Sequence, residues 1–259
     1  MPSKWRLLDT GAMDAPYNMA LERVLLNAAA RGTSPETLHL LEFLPCVLLG
    51  YSQSLSDEVN EEYCLQHGIE INRRLSGGGC IYMDGGTLGW EIAAKKDNPG
   101  IPGNPGAIYR KLCGGLILAL SRFGITASFR SPNDVEVGGR KISGSGGTDL
   151  SDSFIFHGSV LVDFRADIMA KALKPPLKKL KEKQISDFKN RTICLRELLG
   201  YTPPMTEVKN HIVEAFTKIL DIEFEAGGLS REETDELNAV LPMFRSDDWI
   251  VGKGISARG

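Results

Sequence analysis

Apolar residues recur along the chain with two different spacings, one typical of helices and the other of strands. Helical spacing marks three long segments, "NMALERVLLNAAARG" near the start, "AIYRKLCGGLILALSRFG" in the middle and "TEVKNHIVEAFTKIL" near the end. Short apolar runs bounded by turn residues predict strands, among them "WRLLDTG", "TLHLLEF", "CVLLGYS", "IEINRRL" and "FIFHGSVLVDF". Because the strands cluster between helical segments, we predict an α/β (α+β) protein with a mixed β-sheet flanked by helices.

Turn and cap signals refine this picture. Two β-hairpins are predicted, one pairing "CIYM" with "LGWEIA" through "DGGT" and the other pairing "DVEV" with "RKIS" around Gly138 and Gly139. Ser230 and Glu233 have the spacing of a capping box for the helix "SREETDELNAVL", and Pro242 is expected to stop that helix. We therefore expect a single domain over residues 1–259, with a helical C-terminal segment from about residue 203 and no separate accessory domain.

Composition and charge exclude several classes of protein. The 259 residues are 42% hydrophobic and 24% charged, and no apolar run reaches the roughly 18–20 residues that span a membrane. The net charge of −3 argues against a general nucleic-acid binder, although residues 165–191 hold nine Lys/Arg and three Asp/Glu, or +6, which leaves −9 elsewhere. The five cysteines form no CxxC and the first residues lack the apolar core of a signal peptide, so we expect a cytoplasmic protein without disulfides or structural zinc.

The first candidate for chemistry is "RRLSGGGC" at residues 73–80, where three glycines follow a predicted strand. Glycine loses the most conformational entropy on folding, so such a run indicates either positive φ or a close approach of the backbone to a ligand. The chain has neither a Walker A string nor a GxGxxG between strand and helix. Bare backbone N–H groups beside Arg73 or Arg74 would suit a phosphate, and a glycine-rich bulge with solvated arginines is an equally weighted alternative.

The second candidate is "SPNDVEVGGRKISGSGG" at residues 131–147. A two-residue turn would pair Val137 with Arg140 and Glu136 with Lys141, and would place Asp134 on the same face as Lys141. Carboxylates suit hydrated Mg²⁺ and an ammonium group suits phosphoryl oxygens, whereas the simpler interpretation is a cross-strand ion pair. The nearby "SGSGG" leaves a second surface without side chains, which favours a binding site.

The third candidate is His157 in "FHGSVLVDF". The sequence offers it no serine or cysteine partner at a recognisable spacing. We therefore favour a structural histidine in the sheet over a catalytic base.

In combination, these motifs resemble the lipoate–protein ligase A family of the biotin/lipoate ligase superfamily, whose pattern reads approximately RRxSGGGxVxHD, ND, GxKIxGsA and HG[TS]LL. The chain carries "RRLSGGGCIYMD", "PNDVEVGGRKISGSGG" and "FHGSVLVDF" in the same order and at similar spacing. The resemblance implies a fold related to class II aminoacyl-tRNA synthetases. It also implies an enzyme that makes lipoyl-AMP from ATP, Mg²⁺ and lipoate, or from octanoate in its place.

The acceptor implied by this resemblance is a specific lysine of a lipoyl-carrier protein, either a lipoyl domain or a protein like the glycine-cleavage H protein. A separate accessory subunit is a further implied partner, whereas nucleic acid and membrane are not.

The family's residue roles carry over position by position. The acyl-adenylate would be bound by the loop residues Arg74, Ser76, Gly77, Gly78 and Gly79, with Tyr82 and Asp84 just beyond them. The phosphate would be held by Asn133 and Asp134, with Asp134 as the Mg²⁺ ligand. Lys141 would be the catalytic residue, neutralising charge as a carboxylate attacks the α-phosphate. The rest of the wall would be Gly144, Ser145, His157, Gly158 and Ser159.

An octanoyl- or lipoyl-transferase of the same superfamily is the main alternative, since such an enzyme takes the acyl group from a thioester onto a cysteine and needs no ATP. Where these transferases would have that cysteine, the chain has Ser128 and Phe129 in one case, and in the other it has no cysteine between the "FHGS" strand and Cys194. We therefore favour the ligase. A non-catalytic carrier-binding homologue is a third alternative, and the lysine-rich stretch 171–189 is either a solvated face or a docking surface for an acidic carrier.

Overall fold

A computed structural model describes residues 3–174 and 190–252. Its strands are β1 (Ser3–Met13), β2 (Thr37–Phe43), β3 (Cys46–Leu49), β4 (Glu70–Arg73), β5 (Ile81–Met83), β6 (Thr87–Lys95), β7 (Ser128–Arg130), β8 (Asp134–Val137), β9 (Arg140–Leu150), β10 (Ser153–Leu161) and β11 (Ile222–Ala226). Its helices are α1 (Ala15–Arg31), α2 (Leu55–Glu58), α3 (Glu61–Gln66), α4 (Pro105–Ser121), α5 (Ala166–Ala172), α6 (Leu195–Leu199), α7 (Met205–Leu220), α8 (Arg231–Phe244) and α9 (Asp247–Val251). None of the described helices is long and apolar enough to cross a bilayer.

The main sheet has eight strands in the order β11-β1-β2-β6-β10-β9-β8-β7. Strand β1 runs parallel to β11 and β2, and the remaining neighbours are antiparallel, so the predicted mixed sheet is confirmed. One face carries an apolar core shared with α4 and α7, and the other face carries a second core shared with α1 and α8. The α/β arrangement with flanking helices is therefore as the hydrophobic pattern predicts.

A second, three-stranded sheet in the order β4-β3-β5 holds the glycine-rich segment. The prediction that "CIYM" and "LGWEIA" form a hairpin is wrong, because β5 pairs with β3 whereas β6 pairs with β2 and β10. Between β5 and β6 the chain is tied to the end of β10, where Gly86 O accepts from the N–H groups of Val162 and Asp163 at 2.9 Å. A Cβ at Gly86 would lie 2.2 Å from Asp163 O, so this close backbone contact requires glycine.

The C-terminal segment differs from the prediction in two respects. It is not wholly helical, because β11 adds a parallel edge strand beside β1 between α7 and α8. Pro242 does not stop α8 but lies in its last turn, and Arg245 N–H still donates to Leu241 O at 3.2 Å. Proline removes one backbone donor, and near a helix end this loss does not prevent the chain from finishing the turn.

A buried ion pair attaches this segment to the main sheet. The Arg6 guanidinium donates to both oxygens of Glu233, with Nη1–Oε2 at 2.6 Å and Nη2–Oε1 at 2.7 Å. Glu233 also completes the predicted capping box, accepting from Ser230 N–H at 2.8 Å. Burial alone would raise the pKa of Glu233, but the hydrogen bonds from Arg6 and Ser230 outweigh it and lower that pKa.

We expect Glu233→Gln to lower the free energy of unfolding by about 3–5 kcal/mol, because it leaves the Arg6 charge buried without a counter-charge. A depressed acid pKa gives stability that is present above the unfolded-state pKa and is lost as pH falls through the folded-state pKa. Urea unfolding from pH 7 down to pH 3 should therefore show a smaller acid-dependent loss in the variant than in the wild type. The exposed neighbour Glu223→Gln on β11 is the control, and an equal loss in both variants would contradict this account.

Candidate active site

Arg74 sets the shape of the glycine-rich loop. Its guanidinium donates to Leu48 O at 3.0 Å, to Gly77 O at 3.1 Å and to Gly79 O at 2.9 Å. The side chain is buried, and that burial lowers the pKa of Arg74. Arg74 therefore acts on the loop backbone in this structure, and its predicted contact with an acyl-adenylate stays a prediction.

The three glycines meet two different demands. Gly78 has φ +100°, a conformation that residues with a side chain rarely adopt, and its carbonyl would lie 2.0 Å from a Cβ at Gly50. At Gly77 and Gly79, no described residue other than the chain neighbours has an atom within 4 Å of the position of a Cβ, and all three glycines are exposed. The loop thus combines one required backbone conformation with a surface free of side chains.

Ser76, at the start of this loop, joins it to the main sheet. Ser76 Oγ lies 3.0 Å from His157 Nε2, and His157 Nδ1 lies 3.0 Å from Glu22 Oε1. Glu22 comes from α1, His157 from β10 and Ser76 from the segment after β4. A carboxylate, an imidazole and a hydroxyl are thereby aligned between three separate elements.

A second carboxylate and a second histidine form a hydrogen-bonded pair beside the Glu22–His157–Ser76 network. Glu91 Oε2 is 3.0 Å from His39 Nδ1, and both side chains are buried. Burial and the nearby Glu22 charge raise the pKa of Glu91, whereas burial lowers the pKa of His39 to about 3. Burial would also lower the pKa of His157, but the Glu22 carboxylate outweighs it and the pKa is raised.

The ligand atoms of Glu22, Glu91 and His157 lie within 4.8 Å of one another, which is close enough for a metal ion. Both ring nitrogens of His157 are already hydrogen-bonded, however, one to Glu22 and the other to Ser76. Binding a metal through His157 would require breaking one of these bonds. We therefore interpret the cluster as a hydrogen-bonded chain.

The second predicted hairpin is confirmed, with Val137 opposite Arg140 and Glu136 opposite Lys141. Lys141 Nζ is 2.7 Å from Asp134 Oδ1, so these two side chains share a face as predicted. The predicted second carboxylate on that face is not part of the cluster, because Glu136 accepts from Arg130 Nη1 at 2.7 Å. A bulge between Val135 and Glu136 shifts the register at this point.

Two glycines of strand β9 lie directly beneath these two groups of side chains. A Cβ at Gly144 would lie 2.6 Å from Lys141 Nζ, and one at Gly146 would lie 2.9 Å from His157 Nε2 and 3.8 Å from Ser76 Oγ. Alternate residues of a strand share a face and lie about 7 Å apart, so Gly144 and Gly146 allow the Lys141 and His157 side chains to lie close against the same face of β9. These two side chains cover both glycines, so the predicted surface without side chains in "SGSGG" is not found at these two positions.

Two residues assigned to the wall of the site point to the opposite face. Ser145 Oγ is 3.4 Å from Cys113 Sγ on α4. A Cβ at Gly158 would lie 2.4 Å from the Trp90 ring. Gly158 is therefore required by packing against Trp90, and its predicted contact with a ligand stays a prediction, like that of Ser145.

The other predicted site residues have mainly structural contacts. Asn133 holds the start of β8 against β9, donating from Nδ2 to Ser145 O at 2.6 Å. Tyr82 belongs to the core of the smaller sheet, and Asp84 accepts from Gly86 N–H at 2.9 Å in the following turn. Ser159 lies opposite Gly89 in the pairing of β10 with β6, two residues beyond His157.

Residues 14–217 match the family model of the lipoyl protein ligase A/B catalytic domain. The chain belongs to this family. An octanoyltransferase LipM from Moorella thermoacetica is 30% identical over 271 residues, covering 96% of this chain and 99% of its own length. A second octanoyltransferase LipM, from Kyrpidia tusciae, is 28% identical and covers 95% of this chain and 97% of its own length. These relatives support the transferase alternative better than the ATP-dependent ligase favoured by the sequence.

Solved structures agree with this family at the level of the fold. A chain from the study of a bi-partite lipoate protein ligase and its E2 lipoyl domain from Thermoplasma acidophilum superposes with a TM-score of 0.85, covers 99% of both chains and is 22% identical. Lipoate-protein ligase A bound with ATP gives a TM-score of 0.83 at 20% identity, covering 97% of this chain and 99% of its own. The predicted lipoate-ligase fold is confirmed.

The thiols of Cys80 and Cys113 lack the environment of a reactive cysteine. Burial raises the pKa of Cys80, which follows the glycine loop, to about 12. Burial also raises the pKa of Cys113, although its contact with Ser145 lowers it in part. A nucleophilic cysteine normally has a lowered pKa beside a base or cation. Arg74 lies near Cys80, but burial outweighs its charge, and the pKa of both thiols is raised.

Sequence reasoning missed Glu22 and Glu91. Each is an acidic residue inside an otherwise apolar segment, "NMALERVLL" and "LGWEIA". A carboxylate at a core position of a helix or strand must have a partner, and that is the signal that would have found both residues.

We expect Gly158→Ala to lower the free energy of unfolding by about 1–3 kcal/mol, because its methyl group would collide with the buried Trp90 ring. Gly85→Ala is the matched control, since its Cβ position is open with respect to the part of the chain that the structure describes. Urea unfolding measures both effects. Equal stability of the two variants would contradict the packing role and favour the predicted role of Gly158 in ligand binding.

Proposed function

We propose that the protein attaches an octanoyl or lipoyl group to a lysine of a lipoyl-carrier protein. The observation that carries this proposal is the pair of polar groups against one face of β9, with the Lys141–Asp134 pair over Gly144 and the Ser76–His157 pair over Gly146. The exposed loop glycines Gly77 and Gly79 lie beside Ser76, and a small acyl carbonyl or phosphoryl group can approach the backbone there. The Lys141 ammonium then lies where it can neutralise charge that develops on an attacked carbonyl or phosphoryl oxygen.

The first candidate reaction is transfer of an octanoyl group from a thioester. The octanoyltransferase relatives, which match nearly the whole chain, support this candidate. In this reaction the thioester C–S bond is replaced by an amide bond to the carrier lysine.

The second candidate is the ATP-dependent ligase, which activates lipoate as lipoyl-AMP and needs no enzyme thiol. Its specific support is the burial and raised pKa of Cys80 and Cys113. For this route Lys141 would contact the α-phosphate. Asp134 supplies one carboxylate for Mg²⁺, which proteins commonly bind through one or two carboxylates together with substrate phosphates.

The proposed partner is a lipoyl domain or an H-protein-like carrier. The T. acidophilum ligase was studied together with its E2 lipoyl domain and is bi-partite, so we include a separate accessory subunit among the proposed partners. The lysine-rich stretch 171–189, proposed as a docking surface, lies outside the described residues from residue 175 onward.

The two reactions are separated by a donor experiment. The protein is incubated with an apo lipoyl domain and either octanoyl-coenzyme A or octanoyl acyl carrier protein, or instead with lipoate or octanoate and Mg-ATP. Intact-mass measurement of the lipoyl domain detects acylation. Acylation from a thioester without ATP supports the first candidate, and acylation only with ATP supports the second. The absence of acylation from every donor would contradict the proposed function.

We expect Lys141→Met to fold normally but to acylate the carrier about 10²–10³-fold more slowly with the preferred donor, because a preorganised charge at the reacting group is lost. The Lys141 side chain is 40% exposed, and an exposed ion pair contributes only about 0–1 kcal/mol to stability. Lys95→Met is the matched control, since Lys95 forms an exposed pair with Asp152 on the main sheet. If the Lys141→Met protein is as active as the Lys95→Met protein, the Lys141–Asp134 pair is an ordinary ion pair without a role in the reaction.

A further inference from the structure

The Glu22–His157–Ser76 chain has the geometry of a nucleophile with its base, a role that the sequence did not assign to Ser76. The carboxylate is on Nδ1 of the imidazole and the hydroxyl is on Nε2, both at 3.0 Å. This order keeps Nε2 free of a proton in neutral His157, so Nε2 can accept the Ser76 proton. We propose that Ser76 is the nucleophile that holds the acyl group during transfer from a thioester, an inference that rests on the first candidate function above.

The surroundings of Ser76 suit a covalent acyl intermediate. Ser76 is only 3% exposed, whereas Gly77, Gly78 and Gly79 beside it are exposed. The missing side chain of Gly146 lets the His157 ring lie against β9, since a Cβ there would be 2.9 Å from His157 Nε2. An acyl carbonyl would therefore approach Ser76 from the side of the exposed loop glycines, while the low exposure of Ser76 keeps most bulk water from the ester.

The loop also supplies hydrogen-bond donors for the negative oxygen of a tetrahedral intermediate. Arg74 binds the carbonyls of Gly77 and Gly79. In a trans peptide the N–H points away from the carbonyl, so the N–H groups of Gly78 and Cys80 point away from Arg74. Within residues 3–174 and 190–252, the N–H groups of Gly77 and Gly78 donate no hydrogen bond. Backbone donors of this kind stabilise a developing oxyanion.

The reaction balances in two steps. Ser76 Oγ attacks the thioester carbonyl, its proton passes to His157 Nε2, and the C–S bond breaks to release the donor thiol, which takes that proton. The amine of the carrier lysine then attacks the Ser76 ester and loses a proton to His157. The C–O bond breaks, the amide forms, and His157 returns the proton to Ser76. No oxidant, metal or nucleotide enters either step.

Glu22 is a positioning residue in this scheme, because it acts through His157. The charged groups facing His157 are Glu22 from α1, Glu91 from β6 and Arg74 from the loop. Burial and Arg74 lower the pKa of His157, whereas the carboxylates raise it. The base form exists above this pKa, so Ser76 acylation should rise with pH through it. Glu22→Gln should move the rising limb to lower pH and reduce kcat, a shift that lost stability alone would not cause.

The test is to trap the acyl group on the full-length protein. The protein is mixed with octanoyl acyl carrier protein without acceptor, quenched in acid, and analysed by intact mass and peptide mapping. We expect one octanoyl group on the peptide that contains Ser76, resistant to neutral hydroxylamine as an oxygen ester. In Ser76→Cys the same position should carry a thioester, which neutral hydroxylamine cleaves.

Variants complete the test under conditions in which circular dichroism shows them folded. We expect Ser76→Ala to lose at least about 10³-fold in transfer, and His157→Ala to lose about 10²–10⁴-fold. Ser121→Ala is the control, since the exposed Ser121 Oγ donates to Leu118 O within α4. Cys80→Ser and Cys113→Ala should keep the octanoyl ester.

Three outcomes would overturn the proposal, namely an octanoyl group on a cysteine, transfer by Ser76→Ala at the wild-type rate, or wild-type transfer that requires ATP and leaves no ester. The last outcome would still be consistent with the ligase form of the proposed function. Only a wild-type protein that uses none of the donors would refute acyl transfer itself.

Discussion

The buried carboxylate of Glu22 is the constraint around which the site is arranged. It lies fully buried on the inner side of α1, and a charge in such a place destabilises the protein unless it is paired. Its partner is His157 on the middle of β10, and His157 in turn fixes Ser76 at the start of the glycine loop. Hydrophobic side chains would satisfy the same volume at lower cost, so the network is better explained by the geometry that it imposes than by stability.

The glycine loop depends equally on two buried arginines that the sequence places side by side. Arg74 binds the loop carbonyls, whereas Arg73 donates to the carbonyls of Gly50, Tyr51 and Gln53 and, across the chain, to those of Trp249 and Ile250 at the end of α9. The C-terminal helix thus supports the strand from which the loop starts. Neither guanidinium is a free charge at the surface, because both are buried and donate hydrogen bonds to backbone carbonyls.

Strand alternation separates packing from chemistry in the centre of the main sheet. Gly158 and Ser145 face α4 and the core around Trp90, while His157 and Gly146 face Ser76 of the glycine loop. Successive residues of one short motif therefore alternate between packing in the core and lining the site. This separation explains why a run such as "FHGS" contributes both a core contact and a site residue.

The sequence by itself determined the features that depend on neighbours in the chain. The β8–β9 hairpin, the Lys141–Asp134 face, the capping box of Ser230 and the three family motifs all follow from residues within a few positions of one another. The tertiary structure alone decided which distant groups meet. Ser76 and His157 are 81 residues apart, and His157 and Glu22 are 135 apart, so no local spacing could reveal their contact. They meet because β10 lies in the interior of the sheet, with α1 and the loop of the smaller sheet both beside the side chain of His157, an arrangement set by long-range strand pairing and burial.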